Sequence, residues 1–193
     1  MSDALNNALN VTAGQPKVGG AVFWAPLGSD LPETANEDLD AAFVCLGYVS
    51  EDGVTFSRAR ETEDVTAWGG DKVLTLQTDK TDTAQMTLIE ALNENVLKLV
   101  HGADNVSGSL ESGLTVSENS QELDYGVWVI DAVLNGDVQM RTIMPNAKII
   151  TIDDIQFASN AAVGYNVTAA AYPYSDWSGD THRELYLASD ESE

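Results

Sequence analysis

Asn135-Gly136 separates two strand-like segments, residues 127–134 and 137–143, and constrains the fold more than any other pair in the chain. An Asn-Gly pair between strand-like segments is a strong signal for a tight hairpin, because both residues tolerate positive φ. The second half must therefore carry antiparallel strands. From Val163 to Ala171 the odd positions are Val163, Tyr165, Val167, Ala169 and Ala171, while Gly164, Asn166, Thr168 and Ala170 face the other way. That period of two predicts a further strand. Pro145-Asn146 is expected to break the chain before a strand at 148–152, and Ser159-Asn160 to break it again. A loop at 173–180 holds Tyr174 and Trp177, and a last strand is expected at 182–188.

One helix is signalled. Thr87 stands three residues before Glu90, the spacing of a capping box. Leu88, Leu92, Val96 and Leu99, joined by Ile89, Leu97 and Val100, form a broad apolar stripe. Glu90 and Glu94 lie early, Lys98 and His101 late, and Gly102 supplies a stop. The helix is expected from about residue 88 to 101, packed on a sheet, with His101 interacting with the helix C-terminus. Ahead of it, residues 1–20 are polar and glycine-rich and read as an arm. A short strand follows at 21–26 and an acidic loop at 28–40. Ser50-Glu51-Asp52-Gly53 is expected to turn the chain into a return strand at 54–60. A polar loop is then expected at 61–71, a strand at 73–78, a turn at 79–82 and another strand at 84–88.

A chain of 193 residues, 44% of them hydrophobic, suits one domain, here 21–188, with the arm before it and an acidic tail at 189–193. Thirty-one Asp and Glu face nine Lys and Arg, a formal net charge of −22. Such a surface repels phosphate and disfavours specific nucleic-acid binding. Solubility, or adaptation to salty surroundings, would account for it equally well. Cys45 is the only cysteine, which excludes an intrachain disulfide; within Phe43-Val44-Cys45-Leu46 it reads as a small buried hydrophobe. The start lacks the basic and apolar regions of a signal peptide, and no apolar run approaches a membrane span, so folding in a cytoplasm is expected.

No constellation supports catalysis. His101 and His182 are the only histidines, and no serine or cysteine sits in a nucleophile motif. Asp180-x-His182 suggests an oriented imidazole only superficially. No glycine-rich phosphate cradle occurs. Asp38-x-Asp40, the acids within 79–82 and Asp153-Asp154 lack the alternating ligands and central glycine of a calcium loop, and solvated surface is the simpler reading. No cofactor or metal is expected.

The aromatic residues divide by context. Trp24 and Trp128 lie in strand patterns and read as core. Trp177 either folds back on its own domain or, with Tyr174, offers a sugar-binding platform. Trp68 sits at the end of an acidic run beside Gly69-Gly70, where a monomer has little reason to place a large ring and an assembly does.

Three segments together resemble a family. Ala25-Pro26-Leu27-Gly28-Ser29-Asp30-Leu31-Pro32, Leu46-Gly47-Tyr48-Val49-Ser50-Glu51-Asp52-Gly53-Val54-Thr55 and Thr62-Glu63-Asp64-Val65-Thr66-Ala67-Trp68-Gly69-Gly70-Asp71 are similar to the major tail (tail-tube) protein of long-tailed bacteriophages, notably those of actinobacterial hosts. The resemblance is good over roughly the first hundred residues and holds in outline beyond. It implies a mainly β fold, an antiparallel β-sandwich or half-barrel with one flanking helix, an extended arm and long loops. It implies a structural, non-enzymatic virion protein, assembled in the host cytoplasm, that forms hexameric rings stacked into a tube. The acidic charge would then line a conduit that DNA crosses as non-specific cargo. Implied partners are further copies of the chain, the tape-measure protein, and the tail terminator and distal tail proteins; no membrane is involved. The 61–71 loop would join rings, with Val65 and Trp68 as apolar anchors and Glu63 and Asp64 facing Arg58, Arg60 or Lys72 of a neighbour. Three other readings stay open: a capsid or tail decoration module, an acidic carbohydrate-binding β-sandwich, and a carboxylate-based metal-dependent hydrolase.

Overall fold

The computed structural model describes residues 6–188. The expected tail at 189–193 and the first five residues of the expected arm lie outside the described residues. In chain order the elements are β1 (Gln15–Pro16), β2 (Val22–Pro26), β3 (Val44–Cys45), β4 (Val49–Thr66), β5 (Lys72–Leu88), α1 (Glu94–His101), β6 (Val106–Ser109), β7 (Gly113–Val116), β8 (Gly126–Val133), β9 (Gln139–Ile152), β10 (Tyr165–Ala171) and β11 (Arg183–Leu187). Nine strands form one antiparallel sheet whose main path runs β3-β2-β8-β9-β10-β5-β4, with β1 added on β8 and β11 on β9. β6 and β7 make a separate hairpin. The mainly antiparallel β fold with a flanking helix is the one expected.

Strand alternation places one core on each face of this sheet. Trp128, Ile130, Met144, Ala147, Val167, Ala169, Met86 and Leu88 pack with Val96, Leu97 and Val100 of α1. On the other face Ala25, Val127, Val129 and Ile143 are covered by Leu31, Leu39 and Phe43, and by Trp177 and Leu185. Trp128 is fully buried, as its strand pattern requires, while Trp24 is half-buried. Cys45 is half-buried rather than buried, its Sγ accepting from the Gly47 N–H at 3.4 Å.

The covering loop is fastened from below. Arg141 on β9 forks onto Asp131 of β8, Nε to Oδ1 at 2.7 Å and Nη2 to Oδ2 at 2.8 Å. Its Nη1 donates to the Thr34 and Glu37 carbonyls at 3.1 and 2.8 Å. Both charged side chains are almost wholly buried. One guanidinium thus pairs with a carboxylate and terminates a loop backbone, which its rigid fork of donors suits.

The Asn135-Gly136 hairpin is present and joins β8 to β9, with Asp137 in the left-handed region at φ 57°. Asn135 also holds the described part of the arm, donating from its backbone to Thr12 Oγ1 at 2.8 Å and from Nδ2 to the Val11 carbonyl at 3.0 Å.

Several expectations need correction. Pro145-Asn146 does not break the chain, because β9 continues through it. The proline sits where the β8 register shifts between Gly126↔Ala147 and Trp128↔Met144, a bulge that needs no donor from Pro145. Ser50-Glu51-Asp52-Gly53 is not a turn; it is the bulge between Val49↔Leu88 and Val54↔Met86 inside β4, with Gly53 at φ 70°. Residues 61–66 are strand, and 79–82 lie in mid-strand opposite 58–61, so only 67–71 form a turn. The helix starts later than the Thr87 box suggests. Asn93 is the N-cap, its side chain accepting from the Asn95 N–H at 3.0 Å. The Glu90 carboxylate is taken by the Tyr48 N–H and by Asn93 Nδ2, both at 3.0 Å. His101 leaves its carbonyl to Asn105 Nδ2 at 2.7 Å, while its ring meets Glu118 and the edge of Tyr165.

Candidate assembly surface

β4 and β5 continue past the body of the sheet as a two-stranded ribbon. Every residue from 57 to 81 is exposed. At about 3.3 Å per residue, the ten residues from 57 to 66 carry its tip roughly 33 Å outward. The tip turn closes with the Ala67 N–H on the Asp71 carbonyl at 2.8 Å and the Gly70 N–H on the Ala67 carbonyl at 3.0 Å. Gly69 and Gly70 take φ of 128° and 98°, backbone that side chains resist. Trp68 therefore stands at the apex, and it is fully exposed.

Cross-strand pairing assigns the remaining side chains to two faces. Arg58, Arg60, Thr62 and Asp64 share one face with Asp82, Lys80, Gln77 and Thr75. This face is knit together within the subunit: Arg60 donates to Gln77 at 2.9 Å, and Asp64 accepts from Lys72 and, at 2.7 Å, from Thr75. Those two donors, Lys72 first, hold the Asp64 carboxyl below its usual range. The opposite face carries Glu61, Glu63 and Val65, with Leu76 opposite Glu63 and Leu74 opposite Val65. Val65, Leu74, Leu76 and the bulged Val73 are all exposed. Sequence reasoning found Val65 and Trp68 but read 73–78 only as a strand, without marking its apolar side chains as exposed. The missed signal was an apolar strand whose hairpin partner, 61–66, is almost entirely polar.

The ribbon root is braced by β11 and the residues before it. Arg58 pairs with Glu184, which also accepts from the Tyr186 hydroxyl at 2.8 Å. Buried Asp82 receives Lys80 Nζ at 2.6 Å and the Thr181 hydroxyl, with His182 Nδ1 at 3.5 Å. Burial pushes the Asp82 pKa up, but the Lys80 and Thr181 hydrogen bonds and the Lys80 and His182 charges outweigh it and hold it below 3.8. A depressed folded pKa contributes stability that is present above the unfolded value and lost as pH falls through the folded one. The stability gap between wild type and Asp82→Asn should thus be constant above about pH 5 and narrow below about pH 4. A gap in urea midpoints that stays unchanged from pH 7 to pH 3 would contradict this.

The Asp180-x-His182 pattern does not assemble a nucleophile. Asp180 pairs with Arg183 rather than with His182, while the Thr181 hydroxyl donates directly to Asp82 and lies 3.3 Å from His182 Nδ1, so its proton is already committed to the carboxylate. The cavity beside Asp82 is about 10 Å³, room for one water. Tyr174 and Trp177 stand perpendicular at 5.9 Å, Arg183 covers the Trp177 ring at 4.2 Å, and Trp177 packs on the smaller core. The pair is not a flat platform for sugar. Among the described residues no cluster of three or more His, Cys, Asp or Glu could hold a metal, and no helix is long and apolar enough to cross a membrane.

The geometry is thus an open β sheet from which an exposed ribbon projects, one face polar, the other carrying Val65, Leu74 and Leu76, with Trp68 at its apex. No curated protein matches the sequence. The sequence model of the family described as phage tail tube protein matches residues 3–185, nearly the whole chain. The chain therefore belongs to the phage tail tube proteins, structural components of the virion tail that assemble into a tube with other tail proteins.

Proposed function

We propose that this chain forms rings, hexameric on the family resemblance, that stack into a tube and enclose an acidic conduit for DNA ejection. The observation carrying this reading is the ribbon: 25 consecutive exposed residues from 57 to 81, bearing Trp68, Val65, Leu74 and Leu76 on an otherwise acidic molecule. A two-stranded ribbon is marginally stable alone, and an apolar patch of this kind marks an interaction surface. β4 is also a terminal strand of the main sheet path, and an 18-residue edge invites pairing with a neighbour unless something covers it. Neighbours joined at such edges close a ring, and ribbons reaching along the axis join one ring to the next. Val65 and Trp68 are the proposed inter-ring anchors. Glu63 and Asp64, with Arg58, Arg60 and Lys72, are proposed as exchangeable polar contacts, several already paired inside the free subunit.

The role is structural and without catalysis. Partners are the chain itself, the tape-measure protein within the tube, and tail terminator and distal tail proteins at its ends. DNA passes as cargo, repelled by carboxylates, and assembly takes place in the host cytoplasm. Electron microscopy of the concentrated protein tests the reading: stacked rings or tubes are expected, and isolated particles at every concentration and salt would sink it. Because each subunit carries −22, assembly should also depend on screening. Raising salt from about 10 mM to 150 mM shortens the Debye length from about 30 to 8 Å, and should lower the concentration at which sedimentable polymer appears. Polymerisation that weakens with added salt would contradict this.

A further inference from the structure

Opposite the ribbon tip lies an unfilled apolar groove. Where β5 gives way to α1, the turn from Ile89 to Asn93 forms one wall, and Phe157, Val163 and Tyr165 form the other, around a space of about 650 Å³. Leu92 and Phe157 stand 70% and 82% exposed. The turn is pre-set by the Ile89 N–H on the Tyr48 carbonyl at 3.0 Å and by the Glu90 contacts to Tyr48 and Asn93. Glu90 is the only charged lining residue. A carboxylate offers about four acceptor positions, so it can take a further donor. The groove thus suits a flat apolar guest with a single N–H, which describes an indole.

The subunit's own Trp68 cannot be that guest. The tip lies at the Lys72 end of β5 and the groove at its Leu88 end, and a continuous 17-residue strand holds the two roughly 50 Å apart. A protrusion and a recess at opposite ends of one strand fit a second copy displaced along that strand. Such a head-to-tail contact does not close on itself and propagates into a filament. The contact area fits that occupant too. One tryptophan buries about 150–250 Å². With a similar area on the groove it falls well short of the roughly 1,200 Å² of a stable pair. A single contact would not hold a dimer, whereas one repeated around a ring would hold a stack.

Resting on the tube reading above, we infer that the Leu92–Phe157 groove is the receptor for Trp68 of a subunit in the adjacent ring, with Glu90 accepting from the indole N–H. The test places photoreactive p-benzoyl-phenylalanine at position 157, copolymerises that protein as a minority with wild type, irradiates, and maps the adducts by mass spectrometry. Adducts to the 66–72 tip of another copy are expected, and only under polymerising conditions. In parallel, Phe157→Asp and Leu92→Asp should keep the wild-type melting temperature and raise the polymerisation threshold at least ~10-fold. Tubes whose adducts fall elsewhere, or that form normally from both Asp variants, would overturn the groove while leaving the tube reading intact. Wild-type protein that never forms tubes would overturn both.

Discussion

Trp68→Ala is expected to leave the melting temperature of the dilute subunit nearly unchanged and to raise the polymerisation threshold at least ~10-fold. The indole touches nothing that the subunit needs in order to fold: it is fully exposed at a turn closed by backbone hydrogen bonds. Buried aromatic anchors at interfaces commonly cost more than ~2 kcal/mol when truncated, and about 1.4 kcal/mol is tenfold in an equilibrium constant. In the proposed stack the contact would recur around each ring, so its loss would compound. Were the ring instead to cover its own domain, the variant would lose about 3–5 kcal/mol of folding stability and still polymerise. Thermal melting and sedimentation on one variant separate the two cases. A destabilised subunit that forms normal tubes would refute the interface role.

Arg141→Ala should destabilise the subunit strongly while leaving the assembly surface untouched. Asp131 would remain buried without its bidentate partner, and Lys17 Nζ, at 3.6 Å and partly exposed, cannot replace it. Breaking a buried pair from one side costs about 3–5 kcal/mol. For a chain of this size that lowers Tm by roughly 6–20 °C. The Thr34 and Glu37 carbonyls lose their donor as well, so limited proteolysis should cut within 28–40 first. The double variant Asp131→Leu with Arg141→Met removes both charges and should recover part of the loss, though not the loop anchorage. An Arg141→Ala protein within about 1 kcal/mol of wild type would show that the pair adds little beyond its own desolvation.

The sequence was legible where burial imposes a period. The Asn135-Gly136 hairpin, the alternation of 165–171 and the core position of Trp128 could all be read because one or both faces of those strands are apolar. It misled where the strands bury nothing. Residues 57–81 carry Arg, Glu, Asp, Lys and Thr because both faces of the ribbon meet solvent in the subunit, so 61–66 read as loop and 79–82 as a turn. Gly53 and Pro145 marked real irregularities, yet local chemistry alone does not distinguish a bulge inside a long strand from the end of one. The helix start was missed because Glu90 reaches across to Tyr48, a partner 42 residues away that no local pattern reveals. As for the surface, Trp68 was conspicuous among glycines and acids. Leu74, Leu76, Leu92 and Phe157 were not, since only the fold establishes that these apolar side chains face solvent.

Hydrogen–deuterium exchange on the dilute subunit and on the polymer tests the central claim, that the β4–β5 ribbon is an assembly surface. In the subunit the amides of 61–76 should exchange far faster than those of β8 and β9, because nothing packs against the ribbon there. In the polymer their protection should rise at least ~10-fold, the factor that 1.4 kcal/mol of contact energy provides. Equal ribbon exchange in subunit and polymer, with protection gained elsewhere, would contradict the account.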